Sequence, residues 1–408
     1  MSNSSDDELK CWLKSALKGE NLVDFTVSRL GNTEKGEGYM GDIVFVEVSA
    51  ETSDRLPKIY NLVLKCSKRS PALRESMPVQ AVFENEMHFY ENVIPAFTEF
   101  QKKRGVSEVF NSVPKYYGSY VAEDMEVEVF ENLTTKGYYL CDRRVPLPTN
   151  NLKLILREYG KLHAISAAMQ DQEPEQFKLL IDEIRNVWKM FADKHDMETY
   201  YGAPIDEVHE LLKTSLPETT AEKLKKFKTQ INSIIKDVIE DPKTFSVIGH
   251  GDCWNNNFMF QLKNKTDENS LKVAILDWQT TKFANPITDV SYFIYACASK
   301  EDLEHFDELI NIYYNSFSGY VKLLGSNPEK IFPFDQFIKD FKLFGKYGIL
   351  ITLLAIKVAL CNKEEAPDFA ETINTGFENT FSFKNKNQEL LKSRMLYIIN
   401  HVATQDIL

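Results

Sequence analysis

The chain has few cysteines, no basic excess, no long apolar run and no internal repeat. Its six cysteines, Cys11, Cys66, Cys141, Cys253, Cys297 and Cys361, lie far apart, and none forms a CxxC pair. That spacing signals neither a zinc site nor a disulfide framework. Free thiols of this kind fit a reducing, cytoplasmic setting. Lys and Arg number 48 against 60 Asp and Glu, a net charge of −12. No electrostatic footprint for nucleic acid or anionic lipid follows from such a balance. The most apolar stretch, Gly348 to Leu360, is interrupted by Lys357 and falls short of the roughly 20 residues that a membrane span needs. The start, Met1-Ser-Asn-Ser-Ser-Asp-Asp-Glu8, is polar and acidic with no apolar region behind it, so no signal peptide is expected. Apolar residues at 43% and charged residues at 26% are ordinary for a globular chain. A length of 408 residues predicts two or three lobes.

The first third reads as strands with one helix. Asp42–Ser49 and Ile59–Cys66 are rich in β-branched and aromatic residues, with a turn-rich connection at Glu51–Pro57. Val82, Phe83, Met87, Phe89, Tyr90 and Val93 recur at helical spacing and predict a helix from Val79 to Ile94, stopped by Pro95. Two more strands are expected at Lys115–Val121 and Met125–Phe130. Beyond residue 133 the pattern turns helical: about Leu152–Met169, Glu175–His195 and Pro217–Glu240. A β interruption spans Phe245–Leu276, and helices resume at a capping box, Ser299-x-x-Asp302. The expected fold class is α+β and bilobal. Residues 1–130 would form a small β-rich N-lobe and residues 131–408 a large, mostly helical C-lobe.

The densest polar cluster is His250-Gly251-Asp252-Cys-Trp-Asn-Asn-Asn257, flanked by apolar strand-like residues. Such flanks hold a polar loop at the edge of a core. A second strand, Lys272–Asp277, ends on an acid. Turn residues between the two predict a hairpin that brings Asn257 close to Asp277. Asn257 and Asp277 offer hard oxygens to Mg²⁺, which keeps several waters and binds nucleotide phosphates. Asp252 is then left to accept a hydroxyl proton. The layout points to phosphoryl transfer, in which catalysis is mostly positioning and charge neutralisation. An ordinary capped turn would use the same residue types as His-x-Asp-x4-Asn. Asp277, at the end of the next strand, tells against that plainer reading.

Phosphoryl transfer requires three earlier features in order. Gly36-Glu-Gly38-Tyr-Met-Gly41 is a G-x-G-x-x-G that leads into a strand, as a phosphate-covering flap does and a dinucleotide fingerprint does not. Lys65 ends an apolar strand and needs a partner, unless it snorkels to solvent. Glu86 or Glu84 on the following helix could supply that partner. No G-x4-G-K-[ST] occurs, which excludes the P-loop class.

At this point the sequence resembles the insect ecdysteroid kinase-like proteins, a branch of the choline/aminoglycoside kinase-like group with a protein-kinase-like fold. The matching segments are His250-Gly-Asp252-x4-Asn257, Asp277-Trp-Gln279, Phe83-x-x-Glu86-x-x-Phe-Tyr90 before Pro95, Glu131-Asn-Leu133 and Leu162-His163-Ala164. The resemblance implies ATP and Mg²⁺ as cofactors. It implies that Lys65 contacts the α/β-phosphates and pairs with Glu86, and that the backbone from Glu131 to Leu133 binds adenine. It further implies Asp252 as catalytic base, Asn257 and Asp277 as metal ligands, and Asp289 as a brace for the catalytic loop. His163 is expected to pack and His250 to orient the loop. In the family the glycine loop reads Gly-Glu-Asn-Tyr, then a small residue and Ser; here Gly38 and Gly41 replace the Asn and the Ser. Asn132 replaces an Asp and Cys253 an aliphatic residue. None of these departures removes a residue that transfer requires.

No Ala-Pro-Glu peptide-seating segment follows Asp277, so the expected acceptor is a small-molecule hydroxyl, with a steroid alcohol such as an ecdysteroid foremost. Trp188, Tyr200, Tyr201, Tyr292 and Tyr295 are candidates to line its pocket. A choline- or aminoglycoside-type kinase, a kinase of xenobiotic alcohols and a non-catalytic carrier of hydrophobic ligands are the alternatives. No nucleic acid, membrane or obligate protein partner is expected.

Overall fold

The computed structural model describes residues 5–32, 40–240, 244–264, 270–365, 380–381 and 383–408. Its N-terminal part is a five-stranded antiparallel sheet in the order β1-β2-β3-β5-β4. The strands are Leu22–Asn32, Gly41–Thr52, Pro57–Ser67, Tyr116–Ala122 and Met125–Glu131. Strand periodicity sorts their side chains. Val44, Val46, Val48, Leu62, Leu64, Val127 and Val129 pack against Leu9, Trp12 and Leu13 of a first helix, Asp6–Ala16. The alternate residues, Lys65 and its cross-strand neighbour Glu128 among them, face the other way, towards the cleft.

That first helix and β1 are additions to the expected layout. The helix carries a capping box, with Ser5 accepting from the Glu8 N–H and Glu8 accepting from the Ser5 N–H. Ser5-Asp-Asp-Glu8 is thus a helix start inside a segment that reads as merely polar.

Pro95 does not end its helix. Helical turns run through Val79–His88, a π segment at Phe89–Val93 and Ile94–Lys103. The Ile94 N–H bonds back to the Phe89 carbonyl, one residue further than in an α-helix. Proline then enters at the first turn of the resumed helix, where its missing N–H is tolerated.

Two expected long helices are each two shorter ones. Glu175–His195 is Pro174–Asp182 and Val187–Ala192, and Pro217–Glu240 is Glu218–Lys228 and Ile231–Glu240. The first break has a tertiary cause: Asn85 accepts from the Arg185 N–H at 2.7 Å and donates to the Arg185 carbonyl at 3.0 Å.

The helical part is built on Thr149–Gln172, Ile287–Cys297, Phe306–Leu323 and Phe334–Ala359, which share one large apolar core with Val79–Lys103. Inserted in it are β7 (Val247–Gly249), β8 (Phe258–Leu262), β9 (Leu271–Ile275) and β10 (Lys282–Ala284); β6 is Tyr139–Leu140, paired to β8. β8 and β9 pair with Phe258 opposite Ile275, the expected hairpin. Among the described residues, no helix is long and apolar enough to cross a membrane.

Gly348 lets Phe334–Ala359 approach Ile287–Cys297 closely. A Cβ there would meet Ser291 Oγ at 2.1 Å and the Tyr292 backbone nitrogen at 2.5 Å. Gly348→Ala is expected to lose about 1–3 kcal/mol by overpacking. A lower midpoint in urea unfolding with an unchanged slope would show it.

Candidate active site

Lys65 on β3 points into the cleft between sheet and helices. Its Nζ donates to Glu86 Oε2 at 2.5 Å and to Asp277 Oδ1 at 2.8 Å. The remaining oxygen of Glu86 accepts the Trp278 N–H at 3.1 Å. One buried carboxylate therefore ties the sheet to the segment after β9. Glu84 instead faces Arg185 at 3.3 Å and accepts from Gln80, which decides the partner of Lys65. Trp278 stacks flat on Phe89, centroids 3.7 Å apart. Asp277 adopts a left-handed φ of 63°, a strained conformation for a non-glycine residue.

The loop after β7 carries Asp252. Its Oδ2 accepts from Asn257 Nδ2 at 2.7 Å and from Trp254 Nε1 at 3.2 Å, while Tyr292 donates to Oδ1 at 3.3 Å. Burial and the nearby Asp277 carboxylate raise the Asp252 pKa; the His250 ring and the Asn257 and Trp254 hydrogen bonds pull it back in part. Gly251 has φ of 88°, and a Cβ there would lie 2.2 Å from the Thr280 carbonyl. Only glycine fits that turn.

Asp289 lies behind the loop and accepts the N–H groups of His250 at 2.6 Å and Gly251 at 3.1 Å. Burial opposes its charge, yet the His163 contact and the Lys282 charge hold its pKa well below the carboxylate range. His163 stands 3.4 Å from Asp289 with its other nitrogen on the Tyr313 hydroxyl. It is therefore a polar support for Asp289 as well as a packing group. His250 Nδ1 meets the Tyr159 hydroxyl at 2.9 Å, and Nε2 faces the carbonyls of Leu276 and Asp277 at 2.9 and 3.0 Å. Carbonyls only accept, so Nε2 carries the proton. The ring fastens the Asp252 loop to the Asp277 segment.

At the end of β5, Glu131 donates its N–H to the Lys115 carbonyl and Asn132 its N–H to Asn61. Among the described residues the Leu133 N–H has no partner. Leu133 packs with Met259 and Ala274 in a small apolar cluster. Gly41 opens β2, with Cys66 and Phe83 too close to admit a Cβ. Gly36 and Gly38 lie outside the described residues. Of the expected pocket aromatics, Tyr200, Tyr201 and Tyr295 belong to the apolar core, because each fills space between helices. Tyr292 touches Asp252, and Trp188 is only half-buried.

Glu128 is a site residue that sequence reasoning missed. It is wholly buried opposite Lys65, and neither carboxylate oxygen has a hydrogen-bond partner. Burial and the adjacent Glu86 push its pKa well above the carboxylate range. Burial raises the Glu86 pKa as well, the Lys65 charge pulling it back only in part, so burial favours a proton on this pair of carboxyls. The strand of Glu128, Met125–Glu131, carries three acids, Glu126, Glu128 and Glu131, and nothing local singles out the one opposite Lys65.

Fold and site together define the class: a bilobal phosphotransferase acting on small molecules. The chain belongs to the ecdysteroid kinase-like family, whose model matches residues 35–326. Solved structures agree only loosely. An ethanolamine kinase of Plasmodium vivax shares 11% identity over 100% of this chain and 93% of its own, with a TM-score of 0.43. Wild-type aminoglycoside 2'-phosphotransferase-IIIa in its GDP complex shares 10% over 98% and 99%, with a TM-score of 0.41. The choline kinase LicA of Streptococcus pneumoniae shares 11% over 82% and 94%, with a TM-score of 0.33. No curated protein sequence matches significantly.

Glu128 also makes stability depend on pH. In the unfolded chain it ionises near the ordinary value of 4.5, while in the folded chain burial and the adjacent Glu86 raise its pKa. Its contribution is therefore full below about pH 4.5 and falls as pH rises towards the folded-state pKa. Glu128→Gln, a neutral isostere, should be more stable than the parent at about pH 8, the gap closing towards about pH 4.5. Thermal unfolding across that range reads it; a gap of the same size at both ends would mean that Glu128 is not protonated in the folded chain.

Proposed function

We propose that the protein transfers the γ-phosphoryl group of ATP to a hydroxyl of a small molecule, most simply an ecdysteroid or related steroid alcohol. The observation that carries this reading is the junction of Lys65, Glu86 and Asp277 beside Asp252 and Asn257. In it, residues 1–130 serve as the nucleotide lobe and residues 131–408 hold the catalytic loop and the acceptor. The Leu133 N–H and the Glu131 carbonyl would bind adenine against Leu133, Met259 and Ala274, with Gly36, Gly38 and Gly41 over the phosphates. Lys65, kept charged by Asp277 and Glu86 against the cost of burial, would hold the α/β-phosphates.

The donor set suits Mg²⁺. Asn257 commits its amide nitrogen to Asp252, which leaves its Oδ1 for a hard cation beside the part-exposed carboxylate of Asp277. Two protein oxygens are what Mg²⁺ takes when phosphates and waters complete its shell. Bound there, the ion would neutralise charge on the transferring phosphates. Asp252 would accept the acceptor's hydroxyl proton as that oxygen bonds to the γ-phosphorus and the bond to the β-phosphate oxygen breaks, releasing ADP. Its raised pKa makes it the better base. Six unpaired thiols, four of them buried, support a cytoplasmic setting.

Asp252→Asn keeps the hydrogen-bonding shape of the loop and removes the base. It should lower kcat by about 10²–10⁴ while the thermal shift given by Mg-ATP persists. Phosphate transfer to ecdysone from labelled ATP is the assay. A variant as fast as the parent would take the base role away from Asp252.

A further inference from the structure

The side-chain donors that meet Asp252 divide unevenly between its two oxygens. Among the described residues, Oδ2 accepts from Asn257 Nδ2 at 2.7 Å and from Trp254 Nε1 at 3.2 Å. Oδ1 meets only the Tyr292 hydroxyl, at 3.3 Å, a long contact for a bond that usually measures about 2.7–2.8 Å. An ionised carboxylate has about four lone-pair sites, two on each oxygen. Both sites on Oδ2 are taken, and one site on Oδ1 is open.

The local fold produces this asymmetry. Trp254 has extended backbone, φ −133° and ψ 169°, just before the short helical turn Asn255–Asn257. Its N–H donates to the Asp252 carbonyl at 3.2 Å, and its carbonyl accepts the Asn257 N–H at 3.0 Å. The backbone of Trp254 thus ties both ends of the Asp252–Asn257 loop, while its indole folds back onto the carboxylate two residues earlier. The ring is half-buried and packs against the apolar core, which limits the directions its N–H can take. The type of donor matters as well. An indole is neutral and has no acceptor site, so it fixes Oδ2 without competing for a proton. A Lys or Arg in its place would ion-pair with Asp252 and make it a poorer base.

We propose that Trp254 is a positioning residue: with Asn257 it pins Oδ2, so that Oδ1 is the oxygen that takes the acceptor's hydroxyl proton. As the proton reaches Oδ1, the hydroxyl oxygen bonds to the γ-phosphorus and the bond to the β-phosphate oxygen breaks. ADP leaves, and the proton passes from Oδ1 to solvent. The inference rests on the kinase reading for the transfer step, but the contact between Trp254 and Asp252 can be read without catalysis.

The chain has four tryptophans, Trp12, Trp188, Trp254 and Trp278, so proton–nitrogen NMR of the isotope-labelled full chain has few indole signals to separate. Trp254→Phe identifies the signal at issue. Asp252→Ala should move that signal upfield and speed its exchange with deuterium about ten-fold. Transfer from labelled ATP is then measured to ecdysone or, failing that, to the best acceptor in a pool of alcohols. Trp254→Phe, which keeps a ring and loses the N–H, should lower kcat about ten-fold or more with both KM values unchanged. Trp254→His, which returns a ring N–H at similar reach, should recover most of that loss. Thermal unfolding checks that each variant folds, and Trp254→Met replaces the phenylalanine variant if that one does not. An indole signal indifferent to Asp252→Ala overturns the assignment. So does a Trp254→Phe protein as fast as the parent, or a loss that falls on KM or is not recovered by histidine. A parent that phosphorylates no alcohol would overturn the kinase reading, and with it the proton role of Oδ1, while the NMR result would still decide whether Trp254 pins Oδ2.

Discussion

Everything in the cleft depends on keeping one ammonium charged in a crowd of carboxylates. Lys65 is buried between Glu86 and Asp277, with Glu128 opposite it on the next strand. Three ionised acids around one cation in a low-dielectric site would repel one another strongly. Burial raises the pKa of both Glu86 and Glu128, and a proton held on that pair would reduce the imbalance. The further acid, Asp277, is part-exposed, so solvent screens its charge. The bridge also sets geometry: Glu86 holds Lys65 with one oxygen and the Trp278 backbone with the other. Sheet and the segment after β9 are thus registered by a single side chain.

Asp289 plays the matching part on the other side of the loop. Its two oxygens collect the N–H groups of His250 and Gly251, and His163 and Lys282 keep it ionised. A loop held by its backbone can present Asp252 at a fixed angle while the Asp252 side chain is positioned by Asn257, Trp254 and Tyr292. The glycines flanking His250 serve the same end. A Cβ at Gly249 would strike Asp289, and one at Gly251 would strike Thr280. Rigidity here comes from polar contacts to backbone and from close approach, as a positioned catalytic group requires.

The parts of this design that rest on local pattern were legible in the sequence. β2 to β5, the hairpin carrying Asn257 and Asp277, and the capping box at Ser299 each follow from periodicity or turn chemistry. The polar cluster His250–Asn257 stood out because apolar strands flank it. What stayed hidden depends on contacts between distant segments. Glu128 is informative only once β5 is known to lie beside β3. Asp289 and His163 are 126 positions apart in sequence and meet through packing of two helices. Tyr200, Tyr201 and Tyr295 show no difference in pattern from Tyr292, because an aromatic on a helix reads the same whether it fills the core or reaches the loop. Pro95 was misread for a related reason: a helix that widens by one residue can admit proline, and nothing in the local sequence announces the wider turn.

The misjudged helix at Glu175–His195 is the most informative of these failures. Its periodicity favours one continuous rod, and the folded chain breaks it at residues 183–186. Asn85 holds the break open by taking both backbone groups of Arg185, and the same amide also donates to the carbonyls of Gln279 and Thr281. One side chain thus couples the helix of Glu86, the broken segment and the stretch after Asp277. Residues in and just after the break, Ile184, Arg185, Val187 and Trp188, line a cavity of about 120 Å³. A local preference overridden by a tertiary contact is expected where function asks for a shape that propensity would not produce. The N-terminal sheet, built of strands in register, follows the sequence pattern closely. The broken helical segment departs from it, because a distant side chain, Asn85, sets its shape.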